Sequence, residues 1–174
     1  MSYLITCSGS KLYPESTSSS LEELSFPELN KFRKIIITSS GCELDWARTL
    51  PAWKLYSGKY SRLYPQVSEE NWIKQKTDIL ILSALFGWIK HTDRIPFYNL
   101  KMSDRLNNKF VFQIWRDFNV LQSFISINDI DLLSNDYRNA INKGGIINAK
   151  RPTVAFTDRG VQKGKWLNNQ LDFM

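Results

Sequence analysis

The sequence predicts a single α/β domain over residues 1–174, with a mixed or parallel central sheet of about four or more strands covered by helices. Short apolar segments of strand length alternate along the chain with segments in which apolar residues recur at helical spacing. Each predicted strand runs directly into a cluster of small and polar residues. Ligands bind such sheets beyond the carboxyl ends of the strands, so these clusters are candidate site residues.

The first predicted strand covers residues 3–6, and the turn after it contains Ser8, Ser10 and Lys11. The backbone N–H groups of such a turn, with one lysine, can bind a phosphate, although the spacing of a P-loop is absent. Ser8-x-x-Lys11 is also the spacing of a serine nucleophile with a lysine base. Cys7 lies beside Lys11, which could make the thiol redox-active; a buried, inert thiol is the alternative.

Two helices are predicted before residue 51. Leu29, Phe32 and Ile36 share one helical face, and the helix would end at residues 39–41, although residues 35–37 also fit a strand. Residues 43–50 predict a second short helix that stops near proline 51.

An aromatic segment with a glycine turn follows at residues 51–60. Its rings, Tyr56 among them, are interleaved with lysines around Gly58. Such a pattern can stack bases and neutralise phosphates. A cluster of rings that faces the core is the alternative interpretation.

The most informative segment is residues 78–104. Its apolar start at 79–82 predicts a fully buried strand. Ser83 and Gly87 follow, and small residues allow a backbone or a ligand to approach closely. Asp93 and Tyr98 then belong to a dense polar group beyond the strand end. The alternative is a tightly packed turn whose aromatic rings fill the core and whose charges are solvated.

Two more strand ends are predicted in the last third of the chain. Residues 107–124 predict the longest helix. Residues 129–133 predict a strand that leads into a helix capped by Ser134. Residues 153–156 predict a last strand, and residues 161–171 a closing basic helix. If the four strands share a sheet, their polar ends converge on one site, which is stronger support for a site than any single motif.

Composition excludes several classes of protein. The chain is 43% hydrophobic and 13% aromatic, which is typical of a folded globule. No apolar segment approaches the roughly 20 residues of a membrane span, and the first residues lack the pattern of a secretory signal. We therefore expect a cytoplasmic protein without a membrane partner. Two cysteines and one histidine cannot form a four-ligand Cys/His zinc site, so no metal or other cofactor is predicted.

The net charge of +6 is concentrated near the end of the sequence. From residue 138 onward, seven basic residues face two acidic ones. This excess fits an anionic partner such as DNA or a nucleotide. Ordinary solubilising charge is the alternative.

Several motifs in this order resemble the YaaA family, known as peroxide stress proteins. The matching pieces are Ser8-x-x-Lys11, the turn around Tyr56 and Gly58, the block 80–106, Phe112-Gln113-x-Trp115-x-Asp117, Ser134-x-Asp136-Tyr137, and Arg159-Gly160. The chain departs from the family by being shorter. It also departs at residues 96–99, at Lys101 and at His91, where the family commonly has an arginine, an acidic residue and an arginine respectively.

The resemblance implies a cytoplasmic α/β protein that binds DNA and protects it from oxidative damage. Some relatives occur with systems that modify DNA bases, which suggests nucleobase or nucleoside chemistry. The first hypothesis is therefore a DNA- or nucleotide-binding protein, and the alternative is an enzyme acting on a nucleobase or nucleoside. A third is a binding module with an exposed aromatic patch around Trp53 and Tyr56.

The enzyme hypothesis assigns roles to particular residues. Asp136 or Asp93 would be the general acid or base. Lys11 and Arg159 would hold a phosphate or stabilise negative charge. A ring would stack on the base: Tyr56, Phe86 or Tyr98. The candidate catalytic residues are Lys11, Asp93 and Asp136, and the candidate binding residues are Ser8, Ser10, Tyr56, Gly58, Ser83, Gly87, Tyr98, Ser134, Tyr137 and Arg159.

Overall fold

The computed structural model describes residues 1–158 and 160–173. The strands in these residues are β1 (Tyr3–Thr6), β2 (Leu50–Pro51), β3 (Ile79–Ser83), β4 (Gly87–Lys90), β5 (Arg94–Ile95), β6 (Arg105–Leu106), β7 (Lys109–Phe110) and β8 (Ile130–Asp131). The α-helices are α1 (Asn30–Ser40), α2 (Ala52–Leu55), α3 (Glu69–Lys74), α4 (Val111–Phe118), α5 (Asn135–Ile141) and α6 (Val161–Asp172). Short 3-10 helices cover Leu21–Glu23, Pro27–Leu29, Tyr64–Gln66, Gln122–Phe124 and Lys143–Gly145.

The main sheet has four strands in the order β4-β3-β1-β8. β3 and β8 run parallel to β1, whereas β4 runs antiparallel to β3. All five residues of β3 are buried, as is typical of a strand covered on both faces. The predicted α/β fold with a mixed, helix-covered sheet is thus confirmed, and the carboxyl ends of β1, β3 and β8 lie at one edge. None of the helices in the described ranges has the length and apolar character of a membrane span.

The tight turn between β3 and β4 is packed from both sides. Gly87 has φ of +64°, and a Cβ there would lie 2.9 Å from the ring of Trp115. The Trp115 indole donates a hydrogen bond to the carbonyl of Ala84 at 2.8 Å. Gly87 therefore allows helix α4 to pack against the turn, and this close packing accounts for the glycine without a ligand.

Arg33 of α1 is completely buried and donates hydrogen bonds to the backbone of the same turn. Its Nε donates to the carbonyl of Phe86 at 2.7 Å, and its Nη2 donates to the carbonyls of Trp88 at 2.7 Å and Ser25 at 2.8 Å. Its Nη1 donates to the Asn30 side chain at 2.8 Å and to the carbonyl of Phe26 at 3.2 Å. The buried guanidinium thus bonds only to neutral oxygens in the described residues, and burial lowers its pKa to about 10.

Three predicted elements differ from the structure. Residues 43–50 form turns, not a helix, because Thr49 bonds to the carbonyl of Thr17 and residue 50 pairs with Ile95 of β5. Residues 153–156 form no strand. The edge of β8 instead makes a single bridge to Lys150, and Val154 remains 51% exposed.

The predicted helix at 107–124 is also too long. Its first residues belong to the hairpin of β6 and β7, whose two-residue turn has Asn107 and Asn108 at φ of 51° and 69°. Such positive values are those of a type I′ turn, which asparagine tolerates. The helix ends at Phe118 because Asn119 is left-handed, with φ of 52°.

Candidate functional site

A cavity of about 840 Å³ opens at the edge where β1 and β8 end. Pairing of Thr6 with Leu82, and of Leu4 with Asp131, aligns the ends of the parallel strands. The described residues that line the cavity are Thr6, Cys7, Ser8, Gly9, Ser10, Tyr60, Ser61, Arg62, Leu63, Tyr64, Lys101, Ser134, Asp136, Asp158, Gly160 and Lys163. The volume is within the range of about 300–1,000 Å³ that is common for ligand sites.

The turn after β1 is held by the aromatic segment of residues 51–60. The carbonyl of Ser10 accepts a hydrogen bond from the Gly58 N–H at 3.2 Å, and the Ser10 hydroxyl accepts one from the Tyr60 N–H at 2.9 Å. A Cβ on Gly58 would lie 2.4 Å from the backbone nitrogen of Lys11. Gly58 therefore permits the two loops to touch, and Ser10 joins them while also lining the cavity.

Three hydroxyl groups form a buried network next to this turn. The Tyr98 hydroxyl lies 2.6 Å from the Tyr56 hydroxyl and 2.9 Å from the Ser83 hydroxyl. Burial raises the pKa of both tyrosines well above their ordinary value, so the phenols remain neutral. Tyr56, Tyr98 and Phe86 are at most 2% exposed. These rings therefore cannot stack on a base at the surface, contrary to the sequence-based assignment.

Lys11 extends over this network. Its Nζ lies 4.4 Å from the centroid of the Tyr98 ring and 5.9 Å from that of Tyr56, which are cation–π distances. Burial lowers the pKa of the Lys11 amine, and the nearby Cys7 opposes this effect. Within the described residues the amine forms neither a hydrogen bond nor an ion pair. Lys11 is thus a half-buried cation held by rings alone, and it is not among the residues that line the cavity.

Cys7 is a half-buried free thiol in the cavity wall. Its Sγ lies 3.1 Å from the hydroxyl of Tyr137 on α5. The Tyr64 hydroxyl donates to the carbonyl of the adjacent Thr6 at 2.7 Å. Burial, followed by the effect of Cys7, raises the pKa of Tyr137 and of Tyr64 well above the ordinary value. This part of the cavity wall therefore carries the Cys7 thiol and the neutral phenol of Tyr64, and the thiol contacts the neutral phenol of Tyr137.

The cavity lining carries three basic side chains, Arg62, Lys101 and Lys163, against two carboxylates, Asp136 and Asp158. Asp158 accepts hydrogen bonds from two backbone N–H groups at the start of α6, at 3.0 and 3.1 Å. Its charge is therefore compensated by the helix terminus. Asp136 is exposed. The balance of the cavity is cationic, which suits an anionic ligand.

Of these three basic side chains, Lys163 is the most constrained, because its amine is held by a hydrogen bond. Its Nζ donates to the carbonyl of Leu133 at 3.1 Å. Burial lowers the pKa of Lys163, and the neighbouring Arg138 lowers it further. The sequence identifies Lys163 only as one residue of a basic helix. Its place in the cavity depends on how α6 packs beside the end of β8, which no local pattern reveals.

The predicted site residues separate into groups. Ser8, Ser10, Ser134 and Asp136 line the cavity. A second group lies in the hydroxyl and thiol networks next to it: Lys11, Tyr56, Ser83, Tyr98 and Tyr137, with Gly58 joining the loops. The predicted Arg159 lies outside the described residues.

Asp93 is not brought to the cavity. Its carboxylate accepts hydrogen bonds from the Ser25 backbone at 3.0 Å, the Ser25 hydroxyl at 2.8 Å and the Lys90 N–H at 3.1 Å. These bonds close the turn after β4 and attach it to the segment before α1. The geometry favours Asp136 over Asp93 as a candidate acid or base.

The proposed aromatic patch is not exposed. Tyr56 is fully buried, and Trp53 is half-buried with its ring stacked on Trp72 at a centroid distance of 6.0 Å. The exposed ring of this segment is Tyr60, which is 76% exposed and lines the cavity. The binding-module hypothesis therefore loses the feature on which it rested. Among the described residues, no group of histidine, cysteine and acidic side chains could hold a metal ion.

Comparison with known families adds one finding. A family model described as peroxide stress protein YaaA matches residues 11–168. No curated protein matches the chain. The matched range includes the aromatic segment, β3, β8, α5 and most of α6, and it therefore covers most of the elements that form the cavity. The chain belongs to the peroxide stress protein YaaA family.

Proposed function

We propose that this chain binds DNA or a nucleotide, with a phosphate in the cavity at the end of β1. The observation that carries the proposal is the approach of Arg62, Lys101 and Lys163 to one cavity at the carboxyl edge of parallel strands. Arginine and lysine are the usual partners of phosphate oxygens. The side chain of Lys101 lies beside Gly9, where an added Cβ would be 3.6 Å from its Cε. One cation is therefore close to the backbone of the turn after β1.

Tyr60 supports a nucleotide rather than a simple phosphate. Its ring is 76% exposed at the cavity, and its backbone N–H is fixed by the Ser10 hydroxyl. Lys59 Nζ lies 5.5 Å from the ring centroid. An exposed ring beside lysines is the usual arrangement for stacking on an unpaired base. The proposed stacking residue is therefore Tyr60, in place of the buried rings.

The cellular role that we propose is protection of DNA during peroxide stress, in the cytoplasm. Membership of the peroxide stress family supports the first part. Two free cysteines are compatible with a reducing compartment.

The test is binding of fluorescent single-stranded and duplex DNA at about 50 mM and 200 mM salt, since phosphate contacts make affinity fall steeply between these concentrations. We expect the double variant Arg62→Gln/Lys101→Gln to weaken binding about tenfold or more. Lys34→Gln, an exposed lysine of α1, is the matched control and should bind like the parent chain. Absence of binding at the lower salt concentration would refute the proposal.

The second candidate is an enzyme that acts on a nucleobase or nucleoside. The observation that favours it is the exposed Asp136, which lines the same cavity one residue before Tyr137. A carboxylate there is available as a general acid or base. Turnover of modified nucleotides and modified DNA should be lost in Asp136→Asn while DNA binding is retained. Turnover that survives this substitution would remove Asp136 from the mechanism.

A further inference from the structure

A second cavity, of about 570 Å³, adjoins the first. Ser134 and Lys163 line both cavities, so α6 and the end of β8 form their common wall. The second cavity is bounded on its other side by the segment 152–156, which the sequence predicted as a strand. The two cavities therefore meet at Ser134 and Lys163, and we refer to the pair as the trough.

The second cavity is also cationic. Its basic residues are Arg138, Arg151 and Lys163, and its one acidic residue among those described is Asp131. Asp131 is buried and receives a hydrogen bond from Arg138 Nε at 2.6 Å, so these two charges compensate each other. Arg151 Nε is 3.8 Å from the same carboxylate, and its side chain is 65% exposed. Arg151 therefore keeps most of its donors available to a ligand.

The walls of the second cavity provide apolar surface next to this charge. Val154 is 51% exposed. Phe156 is half-buried and packs edge-on against Trp166 of α6 at 6.3 Å between ring centroids. A cation beside apolar wall suits a second nucleotide, whose phosphate and base need different surroundings.

We propose that the trough binds a single strand of DNA across both cavities, with its backbone passing Lys163 and adjacent nucleotides on either side. This inference rests on the proposed function and specifies its ligand. In this arrangement Lys163 contacts a phosphate shared by both nucleotides, Arg151 contacts the next phosphate, and Tyr60 stacks on the base in the first cavity. A duplex keeps its bases stacked inside and offers none to Tyr60, so the single strand is the better ligand.

The experiment compares three probes: thymidine 5′-monophosphate, a single-stranded thymidine oligonucleotide of about ten residues, and a duplex of the same length. The variants are Lys163→Gln, Arg151→Gln and, as the matched control, Lys165→Gln, which is exposed on the same helix and lines neither cavity. Thermal unfolding of each variant shows whether it is folded. Arg151 is largely exposed, so its variant should remain testable if Lys163→Gln loses stability.

We expect the oligonucleotide to bind at least about tenfold more tightly than the monophosphate. Lys163→Gln should weaken both ligands. Arg151→Gln should weaken only the oligonucleotide, about tenfold, and should make its dependence of log K on log salt shallower by about 0.7, the value for one phosphate contact of a single strand. Lys165→Gln should change neither affinity by more than about twofold.

Three results would overturn this proposal. Equal affinities of the monophosphate and the oligonucleotide would leave the first cavity as a nucleotide site and remove the second. If Arg151→Gln binds the oligonucleotide as tightly as the parent chain does, the second cavity is likewise not part of the binding site. A duplex that binds more tightly than the single strand would exclude the proposed ligand. Absence of binding by all three probes at about 50 mM salt would refute the proposed function itself.

Discussion

Arg33 and Lys11 are both basic side chains that are removed from solvent, Arg33 completely and Lys11 in part, but they differ in how their N–H donors are satisfied. Arg33 is completely buried, and each of its three nitrogens donates a hydrogen bond at 2.7 to 3.2 Å. The Lys11 amine is half-buried and, among the described residues, faces aromatic rings without a hydrogen bond. The Arg33 donors are all used to stabilise the fold, whereas the Lys11 amine makes only cation–π contacts and lies outside the cavity lining.

The largest expected effect on stability comes from replacing Arg33, whose donors all form hydrogen bonds. Arg33→Met should lower the free energy of unfolding by about 3–5 kcal/mol, because it leaves several buried carbonyls without donors. Those carbonyls include Phe86 and Trp88, which flank the turn. The measurement is the urea unfolding midpoint, with an unchanged m-value as the sign of two-state unfolding.

Lys34→Met is the control for this substitution, because Lys34 is the adjacent and exposed residue of α1. It should change stability by about 0.5 kcal/mol or less. Arg33→Lys keeps the charge but loses the planar set of donors, and it should also be destabilising. If Arg33→Met is as stable as Lys34→Met, the hydrogen bonds of the Arg33 guanidinium do not contribute measurably to the free energy of unfolding.

A smaller effect is expected from disturbing the loop that carries Lys11. Gly58→Ala should cost about 1–3 kcal/mol, since its Cβ would lie 2.4 Å from backbone atoms of Ser10 and Lys11. The same change should weaken nucleotide binding, because the turn after β1 must move. Gly9→Ala, whose Cβ would have an ordinary 3.6 Å contact, is the control for stability. Equal unfolding midpoints for the two variants would argue against a tight contact at Gly58.

The smallest expected effect on stability is that of removing the unmatched cation. Lys11→Met should change the free energy of unfolding by about 1 kcal/mol or less near neutral pH, because no hydrogen bond is lost. Burial lowers the Lys11 pKa below its ordinary value of 10.5. Between the lowered pKa and 10.5 the unfolded chain binds more protons, so Lys11 makes stability rise with pH in that window.

The difference in unfolding free energy between the parent chain and Lys11→Met isolates this contribution from those of other groups. It should shift in favour of the parent chain as the pH approaches 10.5 from below. A difference that does not depend on pH would mean that the amine is as well solvated in the folded protein as in the unfolded chain.

The parts of the fold that could be predicted are those decided by local pattern. β1, β3 and α6 follow from short apolar segments and from helical spacing, and the structure has them within one or two residues of the predicted bounds. The segment 43–50 could not be predicted, because its conformation is decided by pairing of Leu50 with Ile95, forty-five residues away in sequence. Distant pairing overrides local propensity.

The candidate site likewise contains residues that the sequence could predict and residues that it could not. Ser8 and Asp136 could be selected because strand ends converge at one edge of such a sheet. The same reasoning also selects Asp93, but its carboxylate binds Ser25, and nothing near Asp93 in sequence indicates that partner. Tyr56 and Tyr98 are polar enough for a site, but they bond to each other and so become part of the core.

The β3–β4 turn also decides the direction of the hydroxyl network. The Ser83 oxygen accepts hydrogen bonds from the N–H groups of Leu85 at 3.3 Å and Phe86 at 3.1 Å, which occupy both of its lone pairs. The Ser83 hydroxyl is therefore left to donate to Tyr98, whereas in the hydrogen bond between Tyr98 and Tyr56 either hydroxyl can be the donor. Two amides of the main chain thus set the direction of the hydroxyl network at its Ser83 end, and the proton that Ser83 donates goes to the tyrosine whose ring lies 4.4 Å from the Lys11 amine.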